Sequence, residues 1–109
     1  MSGTIEVYIK HILESISIIE TYLNEVPKEQ FLESSQIQDA VIRRLEIIGE
    51  AVRNIPDGFR DKHPDIPWRE ITGMRNILIH EYFGVDLELT WTTVKVNLPD
   101  LKRRLAGLI

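Results

Sequence analysis

Apolar residues recur at steps of three and four from the start of the chain: Ile5, Ile9, Ile12, Leu13, Ile16, Ile19, Leu23 and Val26. At about 100° per residue these positions stack on one face of a helix. The pattern predicts a long amphipathic helix ending before Pro27, since proline has no N–H for a helix interior. Ser35 followed by Gln38 has capping-box spacing and opens a second predicted helix through about Asn54. Its inner face carries Ile37, Val41, Leu45, Ile48, Val52 and Ile55. Pro56-Asp57-Gly58 stops that helix, and the run from Pro56 to Pro67 reads as a loop or a short irregular turn.

Pro67 suits the first position of a third main helix, Trp68 to Phe83, with Gly84 as a natural C′ residue. Asp86 is placed to cap the next helix, Leu87 to Leu98, and Pro99 either kinks it or starts a short final helix. No segment alternates with period two between turn signals. The fold class expected is therefore all-α, an antiparallel up-down bundle of four to five helices forming one domain over residues 1–109.

Composition narrows the chemistry. The 109 residues are 43% hydrophobic and include no cysteine, which excludes disulfides, a thiolate nucleophile and Cys-ligated zinc or iron–sulfur clusters. A core of this size leaves little room for a deep cavity, so a site is expected on a surface or between subunits. Acidic residues punctuate the apolar ones near the N-terminus, so neither a signal peptide nor a membrane span is expected, and the protein reads as cytoplasmic. The net charge of −4 argues against general coating of nucleic acid. It is unevenly placed: residues 1–39 carry −5 and residues 40–109 carry +1. The linker before Trp68 is also too long for the turn of a helix-turn-helix DNA reader.

The chemically informative stretch is Arg75-Asn76-Ile77-Leu78-Ile79-His80-Glu81-Tyr82. On a helical wheel Ile71, Met74, Ile77 and Leu78 share the core arc, Arg75 and Tyr82 are near neighbours two turns apart, and Asn76 and His80 form an i,i+4 pair. One helix would thus present a cation, an amide, an imidazole and a phenol beside the small Gly73. Spacing alone does not overturn the plainer reading, a solvated face, since charged residues are mostly exposed. Glu50 is expected at an interior-leaning edge of the second main helix, between Gly49 and Ala51, either paired with an arginine or shaping the groove. Arg43, Arg44 and Arg53 are candidates for an RNA path or for plain solvation. His11 and His63 lack metal-ligand spacing, so no catalytic metal or other cofactor is expected. Trp68 and Trp91 are read as packing anchors.

The pattern Arg-x4-His-x-Tyr, present as Arg75, His80 and Tyr82, resembles the signature of the HEPN superfamily. More narrowly, Trp68-Arg69-Glu70-Ile71-Thr72-Gly73-Met74-Arg75-Asn76, the upstream Ile48-Gly49-Glu50-Ala51 and the downstream Gly84-Val85-Asp86 with Trp91 resemble the HepT branch, over nearly the whole chain. The resemblance implies a helical ribonuclease toxin that works without a metal, as a homodimer whose two motifs face each other. It further implies a type VII toxin–antitoxin pairing with a nucleotidyltransferase antitoxin, MntA, which transfers AMP to the tyrosine that aligns with Tyr82. A larger hetero-oligomer with that antitoxin is compatible with it.

The residue types suit that chemistry. RNA carries its own nucleophile, the 2′-hydroxyl, so cleavage needs a base for that proton, an acid for the leaving 5′-oxygen and a cation on the phosphorane. His80 can serve as base or acid, with a second subunit's copy taking the other role. Arg75 offers a planar fork of donors to phosphate oxygens. Asn76 would orient His80 or a phosphate, and Tyr82 would stack on or hydrogen-bond the RNA. AMP on Tyr82 would plant negative charge beside Arg75 and block the groove. The competing reading is a non-catalytic HEPN-type partner or substrate-binding subunit of a nucleotidyltransferase. A third reading, an AMP acceptor alone, needs Tyr82 but not His80.

Overall fold

The structure, a computed structural model, describes residues 3–74, 79–80 and 84–109, of which 79, 80 and 85 are described by backbone alone. The fold is all-α, with a two-residue ladder as the one extended element among the described residues. Helix α1 spans Gly3–Tyr22, α2 Lys28–Glu33, α3 Ser35–Arg53, α4 Asp57–Asp61 and α5 Trp68–Thr72. Strands β1, Ile79–His80, and β2, Gly84–Val85, follow, then α6, Leu87–Thr92, a π-helical turn Thr93–Asn97, and α7, Leu98–Ala106.

Helix α1 packs chiefly on α3, and their facing stripes form the centre of the core. Ile9, Ile12, Ile16 and Ile19 of α1 are closed to solvent, as are Val41, Leu45, Ile48 and Val52 of α3. These are the periodic positions of the sequence, so the 3.6-residue pattern alone selects the buried faces. Leu98, Leu101 and Leu105 add the buried side of α7, which lies against α1 and is tied to it by Lys102 Nζ donating to Glu20 Oε1 at 2.7 Å.

Two short helices depart from the expectation. The stretch after Pro27 forms α2, a single six-residue segment too short to show a period; it is held by Phe31, which is fully buried and lies 5.4 Å from the Trp91 ring. The cap of α3 is accordingly Ser34, not Ser35. Ser34 is extended (φ −104°, ψ 103°) and its hydroxyl accepts the Ile37 N–H at 3.2 Å. Gln38 does not close a capping box; its amide donates to the Phe31 carbonyl at 2.8 Å and so binds α2 to α3. Within the expected loop, α4 forms a single turn of helix capped by Pro56.

The run from Leu87 to Ala106 is one helical rod interrupted by its π turn. Asp86 caps it as expected, its carboxylate accepting the Leu89 N–H at 3.0 Å. Pro99 explains the interruption: without an N–H it cannot bond the carbonyl four residues back, and the Leu98 N–H reaches five back, to Thr93. Proline thus both distorts the rod and opens α7.

The largest correction concerns the third main helix. It does not run from Trp68 to Phe83: α5 ends at Gly73, whose N–H bonds the Arg69 carbonyl at 3.0 Å, and Ile79–His80 are extended. Ile79 pairs with Val85 and His80 with Gly84, antiparallel. Gly84 has φ +78°, backbone that glycine adopts without strain, so it serves the ladder and not a helix C-terminus. Ile79 and Val85 are β-branched, which favours extended backbone once a partner strand is at hand.

Candidate functional site

The chain reaches the candidate motif through α5, and α5 is anchored from two sides. Trp68 is buried, and its indole N–H is shared between the carbonyls of His63 at 2.9 Å and Arg60 at 3.1 Å, which fixes the linker beneath the helix. Both tryptophans pack as expected: Trp91 lies against Phe31 and under Lys95, whose Nζ is 4.9 Å from the ring centroid. On its other side α5 meets α3 at Gly49. A methyl group there would stand 3.3 Å from the Ile71 carbonyl oxygen and 3.6 Å from that of Thr72, so the two helices approach as closely as a glycine permits.

Of the candidate residues, Arg75, Asn76 and Tyr82 lie outside the described residues, and His80 is described only by its backbone. That backbone is extended and paired with Gly84; the i,i+4 relation expected between Asn76 and His80 involves Asn76 and lies outside the described residues. The ladder holds the His80 main chain in register with Gly84.

Glu50 is not at an interior edge. Its side chain is 65% exposed and faces Arg53 at 3.7 Å, so the expected arginine partner is present but at the surface. Exposed pairs of this kind contribute little stability. Glu50 lines a shallow groove of about 380 Å3 with Tyr8, His11, Arg43 and Asn54. His63 instead packs against Phe59, 4.7 Å between ring centroids. Among the described residues no group of three His, Asp or Glu side chains is arranged to hold a metal ion.

A wider groove, about 920 Å3, runs to Thr72 and Gly73 at the entrance to the motif. Arg53, Arg60 and Arg69 line it, but so do Asp57, Asp61, Asp65 and Glu70, and Arg60 is bonded to Asp57. Its charges are mixed, so it is no continuous cationic track. A second, mainly apolar groove of about 520 Å3 lies between α5 and the α6–α7 rod, with Met74 in its lining. Sequence reasoning missed it, although Leu89 and Val96, both exposed apolar residues on the rod, were its available signal.

Comparison with known proteins places this arrangement. The family model described as ribonuclease HepT-like matches residues 12–107, which include every candidate site residue. The chain is 50% identical over 101 residues to a Thermococcus cleftensis protein named "Probable ribonuclease HepT", covering 93% of this chain and 92% of the relative. It is 40% identical over 102 residues to a protein named as an RNase in Caldanaerobacter subterraneus subsp. tengcongensis, covering 94% and 91%. A Methanocaldococcus jannaschii protein, whose name joins a gamma-glutamylcyclotransferase to an RNase, is 51% identical over the full 109 residues, and the chain spans about half (49%) of that relative's length. No solved structure matches. With the family model covering nearly all of its length and the candidate motif within the match, the chain belongs to the HepT-like ribonuclease family.

Proposed function

We propose that this protein is an endoribonuclease toxin that cuts RNA without a metal ion, with Arg75 and His80 as its catalytic residues. The observation that carries the reading is the family match across residues 12–107, which embraces the whole Arg75-x4-His80-x-Tyr82 pattern. The 2′-hydroxyl attacks the adjacent phosphorus, His80 takes or returns the proton, and Arg75 holds the negative phosphorane oxygens. Each chain brings one such histidine, so two chains supply the base and the acid together, and we assign the active form to a homodimer. Asn76 positions His80 or a phosphate, and Glu50 borders the approach from α3.

Tyr82 is the site of control. Transfer of AMP to its hydroxyl by a cognate MntA-like nucleotidyltransferase adds a charged, bulky group within the motif, competing with RNA phosphate for Arg75. The pair constitutes a type VII toxin–antitoxin system acting in the cytoplasm. No helix among the described residues is long and apolar enough to cross a membrane.

The deciding experiment replaces His80 and Arg75 separately by Ala. Each change is expected to relieve growth inhibition and to abolish cleavage by the purified protein, with the far-UV circular dichroism unchanged. Toxicity that survives His80→Ala overturns the ribonuclease reading. Cleavage should persist with chelator present, and its loss would reveal a metal. For control through Tyr82, co-expression with the transferase should yield an AMP-modified Tyr82 peptide; suppressed toxicity with Tyr82 unmodified rejects that part.

A further inference from the structure

We propose that the groove between α1 and α3 is a nucleobase subsite, which takes an unpaired base of the RNA and prefers guanine. Arg43, Ile47, Glu50 and Asn54 follow one another at steps of four, three and four, so they share one face of α3 and form one wall. Tyr8 and His11, three apart on α1, form the other. Ala51 is buried between the walls, and its short side chain leaves open the space of about 380 Å3 that a larger residue would fill. A space of this size suits a ligand no larger than a nucleoside.

The chemistry of the lining favours a base over a phosphate. Tyr8 is half-buried and packs against the core, so its ring is a fixed wall on which a base can stack. Arg43 and His11 are offset by Glu46 and Glu50, so a phosphate gains little by entering, whereas an uncharged base is not repelled. Glu50 supplies the choice among bases. Its side chain is 65% exposed, and its contact with Arg53, at 3.7 Å, is longer than a hydrogen bond, so its carboxylate can accept elsewhere. A carboxylate accepts through two adjacent oxygens. Guanine alone among the four bases presents two adjacent donors, N1–H and the N2 amino group, on its Watson–Crick edge. Asn54, whose amide donates to the Glu50 carbonyl at 2.9 Å, keeps its side-chain oxygen as a further acceptor at the mouth.

The place fits the proposed reaction. Gly49, next to Glu50, stands against the carbonyls of Ile71 and Thr72, and Thr72 is three residues before Arg75. The α3 wall of the groove thus adjoins the contact from which α5 leads to the motif. The inference deepens the ribonuclease reading and rests on it for the identity of the ligand as RNA.

Fluorescence anisotropy of the full chain with labelled 2′-O-methyl RNA octamers tests it, since a strand without a free 2′-hydroxyl cannot be cut by the proposed reaction. The octamers are adenosine alone, and adenosine alternating with guanosine or with cytidine, so the varied base recurs along the strand. Wild type should bind the guanosine octamer at least about fivefold more tightly than the other two. Glu50→Gln should abolish that preference, because an amide offers one acceptor oxygen where the carboxylate offers two. Tyr8→Leu should weaken all three octamers at least about fivefold, and Tyr8→Phe, which keeps the ring, should bind as wild type. Val7→Ala, at an exposed position of α1 outside the groove, serves as the control and should change nothing. Equal affinity for the three octamers, or binding of none, overturns the proposal. So does a guanosine preference that survives Glu50→Gln, or a folded Tyr8→Leu protein that binds as tightly as wild type. Should Tyr8→Leu fail to fold, Glu50→Gln still decides, since that side chain lies at the surface. Guanosine-dependent binding by a chain that cuts no RNA leaves the subsite standing and removes the ribonuclease reading. Cleavage by a chain that binds the three octamers alike removes the subsite and leaves that reading.

Discussion

Gly49 of α3 faces the carbonyl oxygen of Ile71 so closely that a methyl group would lie 3.3 Å from it. The contact is backbone to backbone, so neither side can yield by turning a side chain. It fixes how α5 leaves the core, and α5 leads directly into Met74 and Arg75. Gly49→Val should therefore cost about 1–3 kcal/mol in urea unfolding through overpacking. Gly49→Ala should cost far less, because alanine regains roughly 1 kcal/mol of helix propensity against a displacement of a few tenths of an ångström. If valine is tolerated as well as alanine, the α3–α5 approach is looser than the structure has it.

The cap of α3 offers a sharp contrast between neighbours. Ser34→Ala removes the acceptor of the Ile37 N–H and should cost about 0.5–2 kcal/mol. Ser35→Ala removes no such bond and should stay within about 0.5 kcal/mol of wild type. Equilibrium unfolding of the two variants distinguishes them, and equal losses would contradict the assignment.

Asp100 gives a pH dependence with a definite sign. A hydrogen bond from Arg104, 2.9 Å from Oδ2, leads the influences that hold its carboxyl below the ordinary value of 3.8, with the charges of Arg104 and Arg103 adding to it against some desolvation. A carboxylate lowered on folding contributes stability above its unfolded value and loses it as the pH falls through the folded one. The stability gap between wild type and Asp100→Asn should thus be constant near neutrality and shrink below pH 3.8. Thermal unfolding across that range measures it. A gap that widens on acidification reverses the sign and rejects the account.

For the proposed reaction, the two catalytic residues should fail differently. His80→Ala removes the proton carrier, so cleavage should fall about 10²–10⁴-fold with RNA affinity nearly kept. Arg75→Ala removes a phosphate contact, so it should also weaken binding and lower the slope of log affinity against log salt by about 1. Arg75→Lys should restore part of the binding but not the bidentate geometry. Binding isotherms at several salt concentrations beside single-turnover cleavage separate these outcomes. Identical effects of His80→Ala and Arg75→Ala on affinity would argue against the division of roles.

The sequence by itself determined the long elements and their buried faces. The periodic isoleucines of α1, the stripe from Val41 to Val52, the cap at Asp86 and the break at Pro99 all express rules local to a few turns of chain, and the structure realises each of them. The candidate chemistry at Arg75, His80 and Tyr82 was likewise a matter of residue order. Tertiary structure decided what local rules leave open. Phe31 makes a helix of six residues because it has Trp91 to pack against, and that in turn moves the cap from Ser35 to Ser34. Glu50 faces water because α5 docks at Gly49 beside it, and not at Glu50. Ile79 and His80 read as helix on a wheel, yet become strand because Gly84 turns the chain back to give them a partner. Helix periodicity records which side of a segment is apolar, but short helices, strand pairing and close backbone approach depend on atoms distant in sequence, and only the folded chain brings those together.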